Sequence, residues 1–181
     1  MRFPLTTSRL VLRRFTDADV PTFLAYRNDP QIARYQSWTD CSPAEAVEFI
    51  RRQQAQEVGV PGEWLQIAIA LKASNELIGD CAVRVHADDP HQATIGVTLA
   101  HAHHGQGFAS EALSGLLDCL FQQFALHRVV ADTDVENTAM QKLAARLGMR
   151  REGHLKQSLR FKGRLADEYL YAMLRDEWLA R

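Results

Sequence analysis

The strongest pattern along the chain is a stripe of apolar residues at helical spacing. Ala109, Ala112, Leu113, Leu116, Leu117, Leu120, Phe121 and Phe124 fall at i, i+3, i+4, i+7, i+8, i+11, i+12 and i+15. All of them share one face of a helical period, which predicts a long amphipathic helix. A second stripe, Met140, Leu143, Ala144 and Leu147, follows Asn137 as N-cap and stops at Gly148, a residue suited to the C′ position. Ser42-Pro43-Ala44-Glu45 combines a cap, a proline at the first helical position and a glutamate at the third. It predicts a helix through Val47 and Ile50 to about Glu57. Thr16 with Asp19 marks another start; Phe23, Leu24 and Tyr26 follow, and Asn28-Asp29-Pro30 reads as a turn.

The remaining apolar runs are of β type. They cover residues 8–14, 64–71, 77–85, 93–99, 128–132, 150–160 and 165–174. Residues 73–76 read as a hairpin loop and Lys162-Gly163 as a tight turn. Consecutive strands with short links pair antiparallel, whereas a strand–helix–strand unit supplies a parallel pair. The predicted fold class is therefore α/β (mixed α+β), with a central, mostly antiparallel twisted sheet flanked by helices.

Length and charge narrow the function. With 181 residues, the chain has room for a single domain spanning 1–181. Lys and Arg total 21 against 22 Asp and Glu, a net charge of −1. No basic excess is available to attract nucleic acid or an anionic membrane. No apolar run approaches the roughly 20 residues of a membrane span. The opening Met1-Arg2-Phe3-Pro4-Leu5-Thr6-Thr7 lacks the apolar stretch of a secretory signal. Cys41, Cys81 and Cys119 are odd in number and without CxxC spacing, so they read as reduced thiols. A cytoplasmic protein is expected.

One segment carries candidate chemistry. After the run ending Val97-Thr98-Leu99 comes Ala100-His101-Ala102-His103-His104-Gly105-Gln106-Gly107-Phe108-Ala109-Ser110-Glu111. A strand ends, a two-glycine loop follows, and the longest helix begins. The first helical N–H groups have no intrahelical partner and carry the positive end of the macrodipole. Glycine leaves no Cβ between a ligand and those amides, so the loop is suited to phosphate. The same glycines also simply permit a tight turn, and a GxG alone does not decide between the two. Ser110 stands where a dinucleotide fingerprint needs its third glycine, and no P-loop pattern occurs.

His104-Gly105-Gln106-Gly107-Phe108-Ala109 resembles the acyl-CoA motif [Q/R]-x-x-G-x-[G/A] of the GNAT superfamily of N-acetyltransferases. The wording Gly-Gln-Gly-Phe-Ala-Ser-Glu-Ala is similar to the Rim-type branch, which acetylates ribosomal-protein N-termini. Three further blocks resemble that branch in the same order: residues 8–13, residues 127–137 with Leu147-Gly148-Met149, and residues 167–178. The resemblance implies a GNAT-like acyl-CoA N-acyltransferase fold with acetyl-CoA as co-substrate. It implies acetyl transfer to a primary amine, either a protein N-terminus or a small molecule. By carry-over, Val97, Thr98, Leu99, His104, Gly105, Gln106, Gly107, Phe108, Ala109, Ser110 and Asn137 would hold the cofactor. The Leu99 backbone N–H would polarise the thioester oxygen, with Asn137 beside the pantetheine arm. Tyr35 and Trp38 would line the acceptor pocket.

The chain departs from the family's pattern at three places. His104 replaces Gln or Arg, Met140 stands where the branch places a Ser thought to protonate the leaving thiolate, and Met149 replaces Phe. A thioether cannot donate a proton. The general base stays open among Asp134, Glu111, Asp80, His86 and a water relay. An α-amine of pKa near 8 is about one-tenth neutral at pH 7, a lysine only about 1 in 2,500, so an N-terminal amine needs less help. Glu111 also reads as a partner of the helix N-terminus, Asn137 as a plain cap, and Tyr35 and Trp38 as core packing. His101, His103 and His104 lack further ligands at metal spacing, so no metal is expected. A non-catalytic acyl-CoA-binding module is the alternative, and a homodimer through the edge of the last hairpin is conceivable on the pattern.

Overall fold

The structure is a computed structural model that describes residues 3–181. In chain order it contains β1 (Leu5–Thr6), β2 (Leu10–Arg13), α1 (Val20–Arg27), α2 (Pro30–Ala33), α3 (Pro43–Ala55), β3 (Trp64–Leu71), β4 (Leu77–Val85) and β5 (Gln92–Leu99). There follow α4 (Phe108–Gln122), β6 (Arg128–Asp134), α5 (Thr138–Arg146), β7 (Arg150–Phe161), β8 (Arg164–Leu174) and α6 (Arg175–Leu179). The strands make one eight-stranded sheet in the order β1-β2-β3-β4-β5-β6-β8-β7. Every pairing is antiparallel except β5 with β6. The expected fold class, a mixed and mostly antiparallel sheet with helices on its faces, is what the structure has.

The capping signals act as the sequence implies. Ser42 and Glu45 form a reciprocal box at the start of α3, and Thr16 and Asp19 do so before α1. The Met140 amide donates to Asn137 Oδ1 at 3.2 Å, so Asn137 does cap α5. At the other end of α5 the amides of Gly148 and Met149 donate to the carbonyls of Ala145 and Ala144, a Schellman pair. Asn28-Asp29-Pro30, expected as a turn, instead opens α2. The Gln31 amide donates to Asp29 Oδ1 at 2.8 Å and Pro30 takes the first helical position. Helix α3 ends at Ala55, short of the expected Glu57, and β1, α2 and α6 are elements the periodicity did not show.

The apolar stripe of α4 packs on one face of the sheet, against Leu10, Leu12, Ile67, Ile69, Val129 and Ala131. Helices α1 and α3 cover the other face with Phe23, Tyr26 and Ile50, joined by Phe15 from the segment before α1. The sheet is thereby covered on both faces over its central strands, while β7 stays largely exposed, and burial of these side chains supplies the main driving force for the layered arrangement.

What positions the site is where β5 and β6 part. Their parallel ladder holds only three pairs, from Gln92↔Arg128 to Thr94↔Val130. Beyond that, β5 stays paired with β4 as far as Gly79↔Leu99, and β6 stays paired with β8 as far as Asp134↔Glu168. Each strand keeps its outer partner while the two diverge from each other. Gly79 helps β5 keep its line: a Cβ there would lie 2.2 Å from the Thr98 carbonyl oxygen.

Candidate active site

Backbone polarity inside the gap follows from register. His86 N–H donates to the Gln92 carbonyl and Ala100 N–H to the Ile78 carbonyl, at 2.9 and 2.8 Å. In an antiparallel ladder these pairs recur every second residue, so Thr94, Gly96 and Thr98 bond to β4. Val97 and Leu99 therefore turn their N–H and C=O groups to the β6 side, past the last rung at Thr94. The Leu99 carbonyl accepts a hydrogen bond from His104 Nε2 at 2.9 Å. His104, the departure from the Gln/Arg pattern, thus fastens the end of β5 to the loop.

The loop closes the gap at one end. A turn of 3₁₀ helix, His101–His103, follows β5, and Gly107 is the N-cap of α4 in the left-handed region, φ 81°. Gly105 has φ 73°. The amides that open α4 face a cleft of about 800 Å³. Val97, Thr98 and Leu99 form one wall of this cleft, His104, Gly105 and Gly107 its end, and Phe108, Ala109 and Ser110 the start of the helix. Asn137 and Met140 line the wall opposite, beside Asp132 and Thr133. Ten of the eleven residues expected to hold the cofactor thus surround one cavity. Gln106 is the exception: its side chain turns back to donate to the Ala102 carbonyl at 2.9 Å.

The acceptor expectations divide. Tyr35 lines the cleft, and its hydroxyl donates to the Glu136 carbonyl at 3.2 Å. Trp38 does not line it, contrary to the expectation from the sequence. Its ring lies 3.5 Å from the Arg27 guanidinium and its Nε1 donates to the Arg27 carbonyl, so it is a packing residue.

The candidate bases are also sorted by place. Asp80 is buried against α1 and outside the cleft lining, where it accepts from the Tyr26 hydroxyl at 2.5 Å and lies 3.8 Å from Arg27. Burial pushes its carboxyl above the ordinary value, against the pull of Arg27 and Tyr26. His86 Nε2 contacts Thr94 Oγ1 at 2.9 Å and is outside the cleft lining. Glu111 stands in the first turn of α4, where the helix terminus favours a negative charge, and is engaged there by Thr7 and Arg9. Asp134 does line the cleft, but Arg164 holds it at 2.5 Å.

Sequence reasoning passed over two groups. Asp132 and Glu168 are carboxylates on the cleft wall; neither has an ion-pair partner among the described residues, and Glu168 accepts from the Ser158 hydroxyl at 2.9 Å. Glu168 sits opposite Asp134 in the β6–β8 register, a pairing that no local signal in the sequence announces. Lys142 and Arg146 also line the cleft, with Arg146 Nη1 3.4 Å from Ser110 Oγ. Their i, i+4 spacing on α5 was visible as a basic pair. The three loop histidines spread apart in role: His104 binds Leu99, and the His103 ring packs at 6.1 Å from Phe108.

A sheet opened beside a glycine-capped helix start, with an amide-lined wall and local cations, is a geometry that can accommodate an extended anionic ligand. Residues 9–150 match the family model "Acetyltransferase (GNAT) domain". The chain belongs to the GNAT acetyltransferase family. It is 33% identical over 177 residues to the uncharacterized N-acetyltransferase p20 of Bacillus licheniformis, covering 96% of this chain and 97% of that one. A GNAT-family acetyltransferase from Bacillus anthracis superposes with a TM-score of 0.85 at 26% identity, covering 97% and 100% of the two chains. Mycobacterium smegmatis RimJ, solved with CoA-disulfide, superposes with a TM-score of 0.82 at 25% identity, covering 97% and 90%.

Proposed function

We propose that this protein transfers an acetyl group from acetyl-CoA to a primary amine, a protein N-terminal α-amine or a small-molecule amine, by direct attack on the thioester. The observation that carries the reading is the parting of β5 from β6 beside the Gly107-capped start of α4. The residues fit the co-substrate: the loop presents amides with no side chain over Gly105, and Lys142 and Arg146 flank it. When bound, acetyl-CoA supplies an acyl carbon activated as a thioester.

The chain's own residues divide the work. The amides opening α4 hold the pyrophosphate, aided by the helix dipole. The Leu99 N–H, turned into the gap and steadied by His104, stabilises charge on the thioester oxygen. One such preorganised donor is worth about 2.7–4 kcal/mol of barrier. Asn137 lies beside the pantetheine arm while capping α5. The acceptor enters past Tyr35, and Asp132 and Glu168 receive its ammonium group and take up the released proton, directly or through water.

Met140 lines the cleft where the branch pattern has a serine, and this favours one competing reading, a non-catalytic acyl-CoA-binding module. Turnover separates the two. Purified protein with acetyl-CoA is to be offered peptides with free N-termini, polyamines and aminoglycosides, and free CoA thiol measured. Release with one amine class is the expected result. Binding of CoA without release for any class identifies the binding module. A cytoplasmic location, supported by the three free thiols, and a homodimer through the exposed β7 edge complete the proposal.

A further inference from the structure

The link between β1 and β2 meets the start of α4. Thr7 Oγ1 and the Arg9 amide both donate to Glu111 Oε1 at 2.6 Å, and Arg9 Nε donates to Glu111 Oε2 at 2.7 Å. The approach is close: a Cβ on Gly115 would lie 2.8 Å from Thr7 Cγ2. Glu111 thus anchors Arg9 with its guanidinium 4.4 Å from the centre of the Phe108 ring. From there Arg9 Nη1 donates to the Gln106 carbonyl at 3.1 Å.

That last bond has a consequence for the cofactor loop. A trans peptide plane carries its C=O and its N–H on opposite sides. Fixing the Gln106 carbonyl toward Arg9 therefore fixes the Gly107 N–H in the opposite direction. Glycine tolerates either sign of φ, so without an anchor the Gln106–Gly107 peptide plane is free to flip. Arg9 is not among the residues lining the cleft; what it touches at the loop is this peptide.

We propose that Arg9, held by Glu111 and Thr7, is a positioning residue that locks the Gln106–Gly107 peptide with the Gly107 N–H available to the cofactor pyrophosphate. The inference rests on the cofactor reading above. It explains why Thr7 and Arg9 converge with Glu111, more than 100 positions away, at the first turn of the helix that follows the loop.

The test compares CoA binding by calorimetry in wild type, Arg9→Ala and Arg9→Lys, with thermal unfolding of each and the Gly107 amide NMR resonance. Both variants are expected to bind CoA roughly tenfold more weakly, with a shifted Gly107 amide signal in the free protein. Lysine restores charge but lacks the planar fork that reaches Glu111 and Gln106 together. With acetyl-CoA and an accepted amine, KM for acetyl-CoA is expected to rise while kcat at saturation holds. A salt dependence of binding equal to that of wild type is the third mark, since no direct ion pair with the ligand is lost. Full rescue by Arg9→Lys would show that charge alone matters, and unchanged affinity in Arg9→Ala would show that the peptide needs no lock; either overturns the inference. Failure of wild type to bind CoA overturns the cofactor reading, and the inference with it.

Discussion

At Gly107 the backbone, and not the available space, decides what a side chain would do. A Cβ built there points at Arg9 Nη2, 3.5 Å away in ordinary contact, and not into the cleft. The expectation that glycine is needed to bare the amides is thus met differently. Its role is to adopt φ 81° at the N-cap, a region that costs an L-residue about 1–2 kcal/mol and a β-branched one more. Gly107→Val is expected to destabilise the fold by about that amount and to weaken CoA binding by about tenfold or more, 1.4 kcal/mol being a factor of ten. Calorimetry with CoA and thermal unfolding read the two effects separately. An unchanged affinity would remove the loop from the binding site. Leu99 shows the complementary case: its identity matters little to the reading, because the group offered to the substrate is its amide and only the register aims it.

Among the elements, α4 is tied down at its first turn by a carboxylate whose titration can be followed. Burial alone would raise the Glu111 carboxyl, but the Thr7 hydroxyl, the Arg9 amide and the Arg9 guanidinium together hold it below the usual glutamate range. A folded pKa below the unfolded value means stability that is fully present above the unfolded value of about 4.3 and lost as pH falls through the folded pKa. Asp19, held low by Arg13 and the Thr16 amide against its own burial, has the same sign. Asp80 has the opposite sign, since its folded pKa is raised. The Glu111→Gln variant isolates one contribution because Asp19 and Asp80 are common to both proteins. Its stability deficit against wild type is expected to be largest near pH 6 and to shrink toward roughly pH 3, as read from unfolding curves. A deficit independent of pH would mean that the carboxylate charge is not what anchors Thr7 and Arg9 to α4.

This element also marks where the sequence was legible. Its stripe, the Ser42 and Asn137 caps and the Gly148 stop are local signals, and each element they announce is present. The Thr7–Arg9–Glu111 contact is not local; it spans 102 to 104 positions and depends on β2 lying at the far side of the sheet from β6. For the same reason Trp38 could be read as an acceptor contact, when its ring is in fact fixed by the buried Arg27. Short elements escaped as well, since β1 and α2 have too few residues to show a period. The carboxylates Asp132 and Glu168 became visible as a pair only once β6 and β8 were known to be neighbours.

For the whole molecule, 21 basic against 22 acidic residues give no long-range field that would draw in an anionic cofactor. From composition alone, backbone amides looked like the sole source of anion binding. The structure adds two cations on the cleft wall one turn apart, Lys142 and Arg146, the latter beside Ser110. Near-neutral charge overall and positive charge at the cleft are compatible, because screening confines each charge to about 8 Å at physiological salt. Half-exposed contacts of this kind contribute about 0.2–1 kcal/mol each, so replacing both by glutamine should weaken CoA binding by roughly tenfold at low salt. The substitutions lie on the exposed side of α5, away from Leu143 and Ala144, and the melting temperature should stay close to that of wild type. The decisive reading is the salt series. Wild-type affinity should fall as salt rises, and the double variant should fall less steeply, so that the two converge at high salt. Parallel lines would place the phosphates of the ligand elsewhere and leave the amides of α4 as the whole of the anion site.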